Sequence, residues 1–122
     1  MTWDSRERRE FYRASIPYKI KIFWGDSVLE STTENISIGG LKVILGRRFS
    51  PFDEVSLELF LEEGEPLKLK GKVVWMLETK SSTANSYAMF NTGIQFVEMS
   101  DEDRQYLKKA IISFIDTKGA GR

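Results

Sequence analysis

Short stretches of this chain place apolar residues at alternate positions, and a side-chain period of two is that of a half-buried β-strand. After Pro17, the residues Tyr18, Ile20, Ile22 and Trp24 alternate with Lys19, Lys21 and Phe23 until Gly25-Asp26 ends the run. The second stretch, Leu29 to Ile36, is rich in Ser and Thr, and in the third Leu41, Val43 and Leu45 follow the Gly39-Gly40 pair. Val55, Leu57, Leu59 and Leu61 form one face of a fourth strand, and Leu67, Leu69, Val73 and Trp75 one face of a fifth. Between them Glu62-Glu63-Gly64-Glu65-Pro66 is turn chemistry, so the two read as a hairpin. The polar residues Thr79 to Ser86 read as a loop before a sixth strand with Ala88, Phe90, Thr92, Ile94 and Phe96 on its inner face.

The period changes after Val97. Ser100 followed by Asp101-Glu102-Asp103 is an N-cap with carboxylates on the positive end of a helix. Tyr106, Leu107, Ala110, Ile111, Phe114 and Ile115 recur at spacings of three and four, which makes one apolar stripe, and Lys118-Gly119 is the expected stop. Such a stripe suits a helix that plugs an open barrel end. The whole pattern predicts an all-β chain with one C-terminal helix: a six-stranded antiparallel β-barrel capped by an α-helix. On this reading residues 1–15 are a flexible basic arm, 16–118 are the barrel with its helix over 101–117, and 119–122 are a tail.

Composition narrows the chemistry. Cys and His are both absent from the 122 residues, which excludes disulfides, thiolate nucleophiles, imidazole bases and zinc sites built on sulfur or nitrogen. No run approaches the roughly 20 apolar residues of a membrane span, and the charged first 30 residues lack the apolar core of a signal peptide. The expected location is the cytoplasm, without membrane insertion.

The 18 basic and 18 acidic residues cancel, but they are segregated. Arg6, Arg8, Arg9, Arg13, Lys19 and Lys21 outnumber Asp4, Glu7 and Glu10 in the first 24 residues, whereas 50–65 hold six acids and no base. Much of the acidic flank is explained by the hairpin, where Glu58 and Ser56 stand across from Lys68, Lys70 and Lys72. The glutamates therefore read as solvated surface and no metal site is expected. No phosphate-cradling glycine loop or acid pair at catalytic spacing is present, so the chain reads as no enzyme. The balanced total charge also argues against a polymeric nucleic acid as partner.

Two constellations remain. The first is Arg8-Arg9-Glu10-Phe11-Tyr12-Arg13, just before the first strand. The second is Asn35-Ile36-Ser37-Ile38-Gly39-Gly40, at the end of the second strand; Asn35 and Ser37 are two apart and leave the same face, beside glycines that let a ligand approach. Together these segments resemble the PilZ domain, a bacterial receptor for the second messenger cyclic di-GMP. Its Arg-Arg-x-x-x-Arg is matched by Arg8, Arg9 and Arg13, and its (Asp/Asn)-x-Ser-x-x-Gly by Asn35, Ser37 and Gly40. Gly93-Ile94-Gln95-Phe96 and the closing helix extend the likeness over nearly the whole chain.

The resemblance implies a ligand, cyclic di-GMP, and no cofactor. Guanidinium groups bind phosphate bidentately, match guanine O6 and N7, and stack on bases, which suits Arg9 and Arg13, with Arg8 beside them. The Asn35 carbonyl would accept from the guanine N1–H and N2–H₂ edge, Ser37 would bond a phosphate or base, and Gly40 would leave room. An arginine at position 8 further implies an intercalated pair of ligand molecules. Trp75 reads as a buried rim residue rather than a stacking surface. The family also implies an unidentified downstream protein that reads the liganded surface. The alternative is a degenerate module that keeps the fold and works through protein contacts alone.

Overall fold

The computed structural model describes residues 14–61, 64–79 and 88–120, with side chains as far as residue 115. These residues form β1 (Lys19–Trp24), β2 (Ser27–Ile36), β3 (Gly40–Leu45), β4 (Glu54–Phe60), β5 (Leu67–Thr79), β6 (Met89–Glu98) and a helix, α1 (Asp101–Ala120). All strand pairs are antiparallel, and the sheet closes on itself in the order β1-β2-β3-β6-β5-β4. The predicted six-stranded barrel with one C-terminal helix is the fold of the chain.

Closure is made by β1, which pairs with β2 on one side and with β4 on the other, from Lys19 opposite Phe60 to Phe23 opposite Ser56. Alternation then sorts side chains between inside and outside. Ile20, Ile22, Leu57, Leu59 and Leu69 point inward and are buried. A second inward row, Ile36, Leu41, Ile94 and Val73, runs across β2, β3, β6 and β5 and is equally buried. The barrel interior is thus a packed core, and a ligand the size of a dinucleotide has to bind outside it.

Each end of the barrel is sealed differently. At the end where β4 turns into β5, α1 inserts Leu107 and Ile111 into the core, and the Tyr106 hydroxyl lies beside Gly64. The helix starts as its sequence dictates: the Asp103 N–H donates to Ser100 Oγ at 3.1 Å. At the opposite end, the segment between β3 and β4 folds Phe49 inward, edge-on to Trp24 with ring centroids 5.3 Å apart. The Arg47 guanidinium covers the Trp24 ring at 4.4 Å and donates to Ser27 Oγ at 3.1 Å.

Five local expectations are corrected. β5 extends through Thr79, which was expected to open a loop; residues 80–87 of that loop lie outside the described residues. A register shift between Val73 and Trp75 rotates the strand, so Trp75 is not the buried inner-face residue its spacing suggested but is 44% exposed. Lys70 pairs with Glu98 of β6 at 3.9 Å rather than across the hairpin, although Glu58 does stand opposite Lys68 and Glu54 opposite Lys72. The helix runs through Gly119 to Ala120, because a single glycine costs only about 1 kcal/mol relative to alanine and does not by itself end a long helix. Of the expected inner face of β6, Phe90, Thr92 and Ile94 are buried, Phe96 is half-buried and Ala88 is exposed.

Ile22→Ala removes three carbons from the sealed interior, and urea titration should show a loss of about 2–5 kcal/mol. Ser100→Ala removes only the helix cap, with an expected loss of about 0.5–2 kcal/mol in the same measurement. Equal losses for the two variants would mean that the barrel wall is less tightly packed than its burial indicates.

Candidate ligand-binding face

β2 is not a regular strand at its end. The pairing of β2 with β3 shifts between Thr33 and Asn35, a bulge that leaves Glu34 and Asn35 together between the inward residues Thr33 and Ile36. Thr33 is held inside by two bonds: its hydroxyl donates to the Ile16 carbonyl at 2.6 Å and accepts from the Tyr18 N–H at 2.9 Å. Next to it, the Ala14 N–H donates to the Ile36 carbonyl and the Ile36 N–H to the Ala14 carbonyl, both at 2.9 Å. Segment 14–18 is therefore laced along the end of β2. The residue that follows Arg13 is fixed one strand position from Asn35.

The bulge delivers Asn35 to the outer face, opposite Lys42 of β3. Lys42 is opposite Gly93 of β6, and Gly93 is opposite Trp75 of β5. Asn35, Lys42, Gly93 and Trp75 thus form one outward row across four strands, directly beside the inward row of Ile36, Leu41, Ile94 and Val73. A β-carbon on Gly93 would run into the indole of Trp75, so the indole lies over this glycine and is seated on the backbone of β6. Glycine at 93, noted in the sequence without an assigned task, provides that seat. The result is an amide, an ammonium and a half-exposed indole plane along one face.

Ser37 and Gly40 each serve the strand framework. Ser37 is buried; its N–H donates to the Gly40 carbonyl at 2.8 Å, and its Oγ accepts from the Gly39 N–H at 3.1 Å. The hydroxyl is therefore occupied in closing the β2–β3 turn rather than standing on the outer face beside Asn35. A β-carbon on Gly40 would collide with the Ile94 carbonyl of β6, so glycine is required by strand packing as well as by any ligand. Arg8, Arg9 and Arg13 lie outside the described residues.

Elsewhere, a groove of about 400 Å³ lies on the β1–β4–β5 wall beside the start of α1. Its charged lining is mixed, with Lys68 and Lys70 against Glu58, Glu98 and Asp103, so it has no surplus of positive charge for an anion. Among the described residues no group of acids could hold a metal ion, and no helix is long and apolar enough to cross a membrane.

The family model of the PilZ domain matches residues 7–113, and the chain belongs to that family. Among solved structures, the PilZ domain of Escherichia coli YcgR, determined with c-di-GMP, superposes with a TM-score of 0.71 at 17% identity, covering 91% of this chain and 94% of that one. Bacillus subtilis MotI/DgrA, an inhibitor of motility, superposes at 0.72 with 21% identity over 91% of this chain. MrkH of K. pneumonia superposes at 0.78 with 14% identity over the whole of it. The chain spans about half the length of MotI and of MrkH, at 52% and 53%. Comparison with curated proteins gave no match.

Gly93→Val should lift the indole from its seat while leaving the core rows untouched. Tryptophan fluorescence of the variant should shift relative to the parent, and the shift should vanish when Gly93→Val is combined with Trp75→Phe. A shift that persists in the double variant would place its origin at another tryptophan.

Proposed function

We propose that this chain is a receptor for cyclic di-GMP, which it clasps between its amino-terminal arginines and the outer face of the barrel, and that the liganded surface is read by a protein partner. The observation that carries this reading is the outward row that brings Asn35 and a seated Trp75 onto one face. The arginine segment joins the barrel at Ala14, beside the same end of β2. Membership of the PilZ family and the YcgR domain solved with c-di-GMP support the choice of ligand.

In this reading each group has one task. Arg9 and Arg13 bind phosphate or the Hoogsteen edge of guanine through paired N–H donors, and Arg8 stacks on a second, intercalated ligand molecule. The Asn35 side chain meets the Watson–Crick edge of a guanine, and the Trp75 indole offers its plane to a base, a contact worth about 1–3 kcal/mol. Ser37 shapes the turn that presents Asn35, and Gly40 keeps β3 against β6. The ligand supplies all the signal; no catalysis, metal or cofactor enters, and the place of action is the bacterial cytoplasm. The domain organisation in this reading is an arginine arm that joins the barrel at Ala14 rather than after residue 15, a reading surface on the barrel, and a capping helix.

Calorimetric titration with cyclic di-GMP tests the reading. Asn35→Ala removes a neutral hydrogen bond worth about 0.5–1.5 kcal/mol and should weaken binding roughly two- to tenfold, whereas Arg9→Ala and Arg13→Ala each remove a charge-assisted contact worth about 1.5–3 kcal/mol and should weaken it roughly ten- to a hundredfold. Trp75→Ala should do the same through lost stacking, and Ser37→Ala should weaken binding together with a fall in stability. GTP and cyclic AMP should not compete. Absence of binding by the unaltered chain at about 100 μM, some 5.5 kcal/mol of affinity, would reject the receptor and leave a protein-interaction module on the same fold.

A further inference from the structure

We infer that Lys42 is a ligand-contacting residue of this face, and that asparagine rather than a carboxylate at position 35 keeps its charge uncommitted for an anionic ligand. The inference rests on the cyclic di-GMP reading above and names a residue and a charge balance which that reading leaves open. Lys42 is the centre of the outward row, with Asn35 opposite it on β2 and Gly93 opposite it on β6. Leu41 and Val43 on either side of it in sequence are buried, so its side chain leaves the barrel on the same face as Trp75. Among the described residues no carboxylate oxygen lies within 4.0 Å of its ammonium, whereas Lys70, on the neighbouring wall, is paired with Glu98.

The bulge gives this arrangement its meaning. Directly opposed residues in an antiparallel pair have their β-carbons about 4.5–5.5 Å apart, within ion-pair reach of a lysine and an acid. An aspartate at 35 would neutralise Lys42; asparagine cannot. The bulge sets Glu34 outward beside Asn35, where it is exposed and makes no ion pair with Lys42. Gly93, on the other flank, presents no side chain, and the Trp75 indole seated on it puts a flat ring next along the row from the ammonium. The row therefore has a formal charge of +1 at its centre, between an amide that suits a base edge and an indole that suits a base plane. A ligand with two phosphodiesters and two flat bases matches this sequence of groups in kind and order.

A double-mutant cycle tests it, using calorimetric titration of the full chain with cyclic di-GMP at two salt concentrations. Lys42→Gln should weaken binding about tenfold at low salt, as expected for one charge-assisted contact, and Lys42→Arg should restore most of the loss. The dependence of affinity on salt should be shallower in Lys42→Gln than in the parent. In an Asn35→Asp background, where the carboxylate occupies the ammonium, the Lys42→Gln step should shrink to threefold or less, taken as roughly half the free-energy loss. Unchanged urea midpoints would exclude a folding effect. Equal affinity of Lys42→Gln and the parent would overturn the role of Lys42 while leaving the receptor reading intact. A loss of the same size in both backgrounds would overturn the charge argument for Asn35. No binding by the parent chain would overturn both readings together.

Discussion

The pairing of β1 with β4 is the contact on which the rest of the structure depends. Without it the sheet would be a six-stranded ribbon with two open edges, and the alternating side chains of β1 would have no interior to enter. With it, alternate residues along the regular stretches of the strands face a common centre, and that centre is filled mainly by Ile, Leu and Val. The two caps follow from the same closure. A closed sheet of six strands leaves two mouths, one stopped by Leu107 and Ile111 of α1, the other by Phe49 under the Trp24–Arg47 stack.

A filled interior moves chemistry to the outer wall, and there the geometry is set by irregularities rather than by regular strand. The bulge at Thr33–Asn35 turns Asn35 outward, and the register shift at Val73–Trp75 turns the indole outward. Each shift breaks the ladder locally, and both fall on the same row. Gly93 between them allows the indole to lie close to the sheet. The candidate site is thus assembled from two interruptions of alternation and one missing side chain, all supported by the unbroken row of Ile36, Leu41, Ile94 and Val73 beneath.

These same interruptions explain what could be read from the sequence. Strands β1, β3 and β4 and the Ser100 cap were legible because period two and capping chemistry are local rules that closure reinforces. Trp75 was misplaced because counting by twos from Leu67 cannot detect an inserted register step, which is visible only against β6. The turn bond of Ser37 is not legible, because a hydroxyl at a strand end can serve a turn or a ligand, and its spacing is the same in both cases. Phe49 and Arg47 had no signal at all, since residues between strands have no period, and their place is fixed by the barrel mouth they cover. Lys42 carries no signal of its own in the sequence, being one polar position between Leu41 and Val43. Its interest lies in having Asn35 opposite it, a relation between strands.

The inner and outer rows run side by side through β2, β3, β6 and β5 yet share no residue. Natural selection can therefore alter recognition and architecture almost independently: substitutions at 35, 42 or 75 trade one chemistry for another at small thermodynamic expense, while 36, 41, 94 and 73 stay hydrophobic. A lineage built on such a barrel is free to drift toward new messengers, or to abandon small molecules altogether, long before its scaffold begins to fail.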